Sequence, residues 1–320
     1  MALPDIGFFV WTGPRIPAFA WLAMRAALDR CSLARIELHA EPEALAGDPL
    51  VADLVRRPGF YLVDHRLSQL TGLPDHVQHR IAQLEGELGR PASKANLMRL
   101  RVLWAQGGIY LDTDCIALQS HRPLLALPGF VGLEHVALPA RVVHSKNPLR
   151  WLGAGLRIAA RDLASRSANP GKTFAAIAPL YDLSCNNAAL GFSPQHPMLA
   201  ELLTTAAGLS NEVALTRFEL GPRLLERVTG NQSRPDCTLL PPPAFYPLAP
   251  EICAAYIARD PQGLLGDSPD PRTYAAHLYD SVLLRRLGQP LDAQWLLAHR
   301  HNTLLGRMVA PYLDELAALQ

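Results

Sequence analysis

Two adjacent glycines, Gly107 and Gly108, divide the most constraining stretch of the chain, Ser93 to Leu118, which reads SKANLMRLRVLWAQGGIYLDTDCIAL. Before them, Leu97, Leu100 and Trp104 recur at intervals of three and four, an apolar stripe that predicts a helix starting at Lys94 with Ser93 as its cap. Asn96, Arg99 and Leu103 share another face of that helix. Gly107 suits a left-handed helix end, and Gly108 lets the backbone swing into Ile109-Tyr110-Leu111, a run typical of a buried strand. The strand runs out into Asp112-Thr113-Asp114. If it persists, side chains at i and i+2 point to the same side, so both carboxylates face one space. They would repel there, and one would stay protonated unless a cation held both ionised. A hard divalent ion, Mg²⁺ or Mn²⁺, fits this role and commonly keeps positions open for phosphate oxygens. The inferred ligand is a metal-bound phosphate or diphosphate, and the alternative for an isolated Asp-x-Asp is a solvated turn.

The rest of the chain supplies a frame for that stretch. Ile6 to Trp11 reads as a first buried strand stopped by Thr12-Gly13-Pro14, followed by a helix from about Pro17 to Arg30 and a strand from Ala34 to His39. This is the start of a βαβ unit, in which ligands collect at the carboxyl ends of strands, where Trp11 sits. A helix over Leu50 to Arg57 and a strand over Phe60 to Val63 follow, with Asp64 expected to face the same cleft. His76 and His79 lie in a polar stretch without a third ligand nearby, which favours a solvated helix face over a metal site. Ile116 to Leu118 is expected to continue the Asp-x-Asp strand, Phe130 to Glu134 to form another, and Leu149 to Ser167 to form a surface helix. Pro170-Gly171-Lys172-Thr173 lacks the earlier glycine and preceding strand of a phosphate loop. Gln289 to Gln320 reads as helical, with leucines that pack on the domain or on another subunit.

A chain of 320 residues fits one large α/β domain or one domain with a small appendage. Its 49% hydrophobic and 18% charged content excludes extensive disorder, and a net charge of +1 gives no argument for a nucleic-acid or anionic-membrane partner. Five scattered cysteines without a Cys-x-x-Cys pair argue against a disulfide framework or structural zinc and fit a reducing cytoplasm. The opening MALPDIGFFVWTG is not read as a signal peptide, and no apolar run is long enough to span a bilayer. The expectation is a cytoplasmic protein, soluble or peripheral to the inner face of a membrane.

Arg99, Leu103 and Gly107 to Asp114 together resemble the signature of the DXD-containing glycosyltransferases of family 32 and their α-1,4-galactosyltransferase relatives. Their pattern runs Ser-Asp-x-x-Arg, an apolar helix, then Gly-Gly-x-Tyr-x-Asp-x-Asp. Further similar landmarks are Ser184 to Phe192 with His196-Pro197, Gly221-Pro222-Arg223, Leu239 to Pro247, and Tyr274 to Ser281. The prolines of Leu239 to Pro247 are expected to fix an extended path. With gaps, the resemblance extends from about Ile6 to Ser281.

The resemblance implies an α/β, GT-A-type (Rossmann-like) fold with a mixed, mostly parallel sheet flanked by helices. Residues 1–287 would form the catalytic domain and 288–320 a helical appendage. It also implies metal-dependent transfer of a hexose from a UDP- or GDP-hexose to a hydroxyl on a glycan, lipid or protein, with retention of configuration. Asp112, Asp114 and His277 would hold Mn²⁺ or Mg²⁺. Val10, Trp11, Asn96, Arg99 and Asp112 would bind the donor, with the Trp11 ring against the base. Asn187 would approach the donor sugar as part of the catalytic set with Asp112 and Asp114, and Ser281 would complete the metal or diphosphate site. No carboxylate stands out as a covalent nucleophile, so the route to retention stays open. The chain departs from the family at Asn96, where relatives have Asp, and at Tyr279 and Val282, where they have tryptophans.

Two rival readings remain. In a haloacid-dehalogenase-like phosphatase, Asp112 and Asp114 would be nucleophile and acid/base, with Gly266 to Asp270 as the later acidic motif. That family's pair normally lies near the amino terminus, followed by Thr or Val where this chain has Ile116. The departures at Asn96, Tyr279 and Val282 motivate a non-catalytic sugar-nucleotide-binding protein.

Overall fold

The computed structural model describes residues 2–143, 145–167, 169–216, 218–260 and 270–319. Within them, nine strands set the framework: β1 (Ile6–Val10), β2 (Arg35–Ala40), β3 (Phe60–Asp64), β4 (Gly108–Leu111), β5 (Cys115–Ala117), β6 (Gly129–Val136), β7 (Asp182–Phe192), β8 (Thr238–Leu240) and β9 (Ala275–His277). Seven form one sheet in the order β3-β2-β1-β4-β7-β6-β8, and β5 pairs with β9 in a separate antiparallel ribbon. β7 alone in the large sheet runs antiparallel to its neighbours. The expected mixed, mostly parallel sheet is therefore present.

Alternation along β1 explains the layering. Phe9 joins the core that includes Trp21, Ile109 and Leu111, whereas Phe8 and Val10 join the opposite one with Val102, Tyr110 and Leu199. Each face of the sheet is covered by helices, as a largely parallel sheet requires. The strand order reverses at β1, with β2 and β3 on one side and β4 on the other. At such a switch point the loops leaving the strand ends diverge and open a crevice.

The helix before β4 starts three residues earlier than its sequence signals suggest, running Pro91–Gln106. Pro91 presets the first-turn backbone, so Ser93 lies inside the helix and is not its cap. Gly107 ends the helix with φ 68°, and a Cβ there would stand 2.7 Å from the Phe192 carbonyl oxygen. This close approach lets β4 enter the sheet between β1 and β7.

Several boundaries differ from expectation. β4 stops at Leu111, so Asp112 to Asp114 form a turn, and β5 belongs to the ribbon instead of continuing β4. Within the Leu239 to Pro247 run, Pro242–Ala244 coils into a 3-10 turn. Asp280 and Ser281 open the helix Asp280–Leu287 and do not belong to the closing strand.

Near the carboxyl end, the helices Ala293–Ala298, Leu304–Val309 and Leu313–Ala317 bury Leu296, Leu305, Leu313 and Leu316 in the main core. Arg25 pairs with Glu315 at 3.0 Å and Tyr312 Oη donates to Asp29 at 2.8 Å, tying them to helix Ala18–Arg30. Their leucines thus pack on this chain. No described helix is long and apolar enough to cross a membrane.

Candidate active site

The crevice is built from the turns that leave β1 and β4. The backbone N–H of Trp11 donates to His39 O at 2.9 Å, which fixes the exit from β1. Asp112 N donates to Ala188 O at 2.8 Å, and Cys115 N closes the next turn on Asp112 O at 2.9 Å. The turn brings the two aspartates to one space, a task the sequence reading assigned to strand pleating.

The β5–β9 ribbon then delivers a partner from far along the chain. Its register sets Cys115 opposite His277, so His277 Nε2 lies 3.2 Å from Asp114 Oδ1. Asp280 N donates to Asp114 Oδ2 at 3.0 Å, and Leu278 N donates to the Asp114 carbonyl at 3.1 Å. One potential ligand atom from each of Asp112, Asp114 and His277 lies within 4.8 Å of the others.

Burial alone would raise the Asp114 pKa, but His277 and the Asp280 N–H outweigh it and hold the carboxyl below its ordinary range. Burial would likewise lower the His277 value, yet Asp114, with smaller contributions from Asp112 and Glu134, raises it to about 9. Asp280 behaves oppositely: burial, then the neighbouring Asp114 charge, push its carboxyl up to about 6.

Asp112 is anchored through one oxygen. Arg99 Nη1 stands 3.1 Å from Oδ1, and the Tyr110 hydroxyl donates to the same atom. The Arg99 guanidinium also donates to Asn187 O and lies 4.5 Å from the Tyr110 ring centroid, a cation–π contact. Arg99 is buried, and its position makes it the brace that joins the helix to Asp112 and to Asn187.

Asn187 sits inside β7, in an irregularity. Opposite Val131 and Gly132 the register jumps from Leu190 to Asn186, leaving residues 187–189 without partners on β6. There the Asn187 Nδ2 donates to Asn96 Oδ1 at 2.8 Å.

These groups line one cavity of about 930 Å³. Val10, Trp11, Asn96, Arg99, Asp112, Asp114, Asn187 and His277 all contribute to its wall, as does Ser281. Asp64 does not; its carboxylate is taken by Arg66 at 2.7 Å. His76 and His79 are exposed on the helix Asp75–Glu87. Gly266 to Pro269 lie outside the described residues.

Two buried ring nitrogens of residues in this wall, Trp11 Nε1 and His277 Nδ1, have no hydrogen-bond partner among the described residues.

The structure adds Glu134 and Arg285, which sequence reasoning passed over, and Tyr279, which it noted only as a departure from the family pattern. Glu134 lies near the carboxyl end of β6, accepts the Tyr279 hydroxyl at 2.8 Å, and has its pKa raised by burial. A glutamate interrupting an otherwise apolar strand was the available signal. Tyr279 takes φ 54°, a left-handed conformation that turns the chain from β9 into the next helix. Arg285 lines the cavity without a carboxylate partner among the described residues.

Comparison with known families bears on this geometry. Residues 60–130 match the family model described as glycosyltransferase sugar-binding region containing DXD motif. Over this segment the chain is similar to that family. It holds Asn96, Arg99, Asp112 and Asp114, while Trp11, Glu134, Asn187 and His277 lie beyond the matched DXD segment. A curated relative, glucan organizing enzyme 1 of Cryptococcus neoformans var. grubii serotype A, is 29% identical over 144 residues. That alignment covers 42% of this chain, and the chain spans only 35% of the relative's length. Solved structures similar to the chain include the PaToxG glycosyltransferase, at 15% identity and TM-score 0.43, covering 71% of this chain and 68% of that one. The ligand-free glycosyltransferase domain of the YGT toxin shares 10% identity and a TM-score of 0.44, covering 96% and 99% respectively. The UDP-bound form of that domain shares 9% identity and a TM-score of 0.36, covering 64% and 62%.

Proposed function

We propose that the chain is a metal-dependent hexosyltransferase that takes its sugar from a UDP- or GDP-hexose and passes it to a hydroxyl of a glycan, lipid or protein. The observation that carries this reading is the convergence of Asp112, Asp114 and His277 in a cavity that also contains Arg99, Asn187 and Trp11.

The donor set fits a divalent cation. Two carboxylates and one imidazole suit Mn²⁺, and the oxygen ligands also suit Mg²⁺. Among the described residues, Asp112 Oδ2 receives no hydrogen bond, and His277 Nδ1 is unpartnered, so ligand capacity remains after the internal bonds are made. When bound, such an ion would offset charge on a departing nucleoside diphosphate. Arg285, whose Nε donates to Ser281 O at 3.0 Å, adds a side-chain cation for the same phosphates. Trp11 presents an aromatic face for the base. Asn187, held by Asn96, offers the uncharged amide suited to sugar hydroxyls.

Retention of configuration is part of the proposal and rests on the resemblance to family 32. The carboxyl nearest in role to an additional acid or base is Glu134, whose partners Tyr279 and Asn186 hold it in the cavity wall. Residues 1–287 are proposed as the catalytic unit, with residues 288–320 as its carboxyl-terminal appendage. A reducing cytoplasmic setting agrees with five free, buried cysteines.

Incubation with a panel of UDP- and GDP-hexoses plus Mn²⁺, following release of free nucleotide, tests the reading. Release from at least one donor, suppressed by chelation, is expected. Vanadate-sensitive phosphatase activity without sugar-nucleotide turnover would replace it with the phosphatase reading.

A further inference from the structure

The helix Pro148–Ser165 is built inside out. Leu149, Leu152, Leu156 and Leu163 fall on one face of it, and they are 73%, 61%, 65% and 73% exposed. A surface helix normally turns such a stripe toward the core. Here only Ala154 and Ala164 are buried, while Arg157 and Arg161 lean back onto the protein, toward Asp182 at 3.9 Å and Glu251 at 3.3 Å. Exposing four leucines to water while the arginines take the inner side has no stabilising logic unless something apolar covers the leucines.

The geometry points to an anionic lipid surface as that cover. Exposed cations stand at both ends of the leucine face: Lys146 and Arg150 at the start, Arg166 and Lys172 beyond the end. None of the four has a carboxylate partner among the described residues. Two of the chain's three lysines are here, and long cationic side chains reach headgroup phosphates while their stems stay in apolar surroundings. Trp151, half exposed, is oriented by its Nε1 donating to Ser145 O at 2.8 Å, and an amphipathic indole suits the boundary between headgroups and acyl chains. A second copy fits less well, because a two-fold pairing of this face would set its cationic ends against each other.

The surface also leads into the site. Leu138 and Val143, both exposed, lie in the segment before the helix and line the cavity, so a bilayer under the leucine face would lie near its mouth. The inference concerns where the protein sits and stands apart from the reading of the cavity as a sugar-nucleotide site.

Flotation with vesicles decides it. Phosphatidylcholine vesicles are compared with vesicles of equal parts phosphatidylcholine and phosphatidylglycerol, using wild type, Leu152→Glu/Leu156→Glu and Lys146→Glu/Arg150→Glu. Thermal melting and far-ultraviolet circular dichroism confirm that the variants fold, since these side chains are exposed and outside the cavity wall. Wild type is expected to float with the anionic vesicles, more weakly at high salt, and both double variants to bind at least about tenfold less. Wild type that stays with the soluble fraction, or variants that float equally well, would overturn the inference. So would a wild-type dimer that the leucine variant converts to a monomer, which would assign the face to a second copy.

Discussion

Asn187 Nδ2 lies 2.8 Å from Asn96 Oδ1, so the side chain at position 96 orients another amide. An asparagine oxygen accepts this bond as an aspartate oxygen would, without the negative charge. Asn96→Ala removes the acceptor and leaves a buried amide unpaired, which is expected to lower kcat/KM for the donor about tenfold or more. Asn96→Asp keeps the acceptor and should retain activity. Kinetics with the best donor of the panel check both; an unaffected alanine variant would remove Asn187 orientation from the account.

Gly221 supports the same pair from below. A Cβ added there would stand 2.9 Å from Asn187 Nδ2 and 3.0 Å from Asn96 Nδ2, closer than packed atoms tolerate. Gly221→Ala should displace both amides, reducing donor turnover while costing about 1–3 kcal/mol of stability from overpacking. Paired measurements of turnover and chemical denaturation separate the two effects, and retained turnover would show that the amides can shift harmlessly.

Trp11 is expected to carry the base. Trp11→Ala should weaken nucleoside diphosphate binding by about 1–3 kcal/mol, the usual worth of one base–aromatic stack, while Trp11→Phe should recover most of it. Calorimetric titration with UDP and GDP gives the comparison. Equal affinity in all three proteins would place the base elsewhere.

His121 makes stability depend on pH far from the cavity. It is fully buried, its Nδ1 lies 2.9 Å from Gln119 O, and burial lowers its pKa to about 4. The unfolded chain protonates it near 6.5, so the unfolded state binds the extra proton first as pH falls. Stability should be intact above pH 6.5 and decline between about 6.5 and 4, with a loss of about 3 kcal/mol. Urea unfolding of wild type and His121→Gln at pH 7 and pH 4 isolates the effect: wild type should lose about 3 kcal/mol more than the variant. Parallel losses would mean other groups control acid stability.

Local pattern revealed much of this architecture because helix stripes, Gly107 and the apolar runs act over a few residues. It located Asp112, Asp114 and Arg99 together, but the reason the aspartates converge was misread: a turn closed by Cys115 N does what the pleat was expected to do. The His277 position depends on the β5–β9 register and came only from the resemblance. The Asn96–Asn187 bond requires β7 to bulge opposite Gly132, which depends on how two distant strands pair. Glu134 escaped notice because its partner, Tyr279, arrives from the far end of the chain. The inverted leucine helix could be read as a surface helix, but only tertiary placement shows which face looks outward.

The central claim is that Asp112, Asp114 and His277 jointly hold a divalent cation for a nucleoside diphosphate. Electron paramagnetic resonance of Mn²⁺ with UDP and GDP, for wild type and Asp114→Asn, addresses it most directly. The account predicts that wild type depletes the free-ion signal when nucleotide is present and that the variant, still folded, leaves it largely unchanged. A wild type that takes up no ion, or a variant that takes it up equally, would contradict the account.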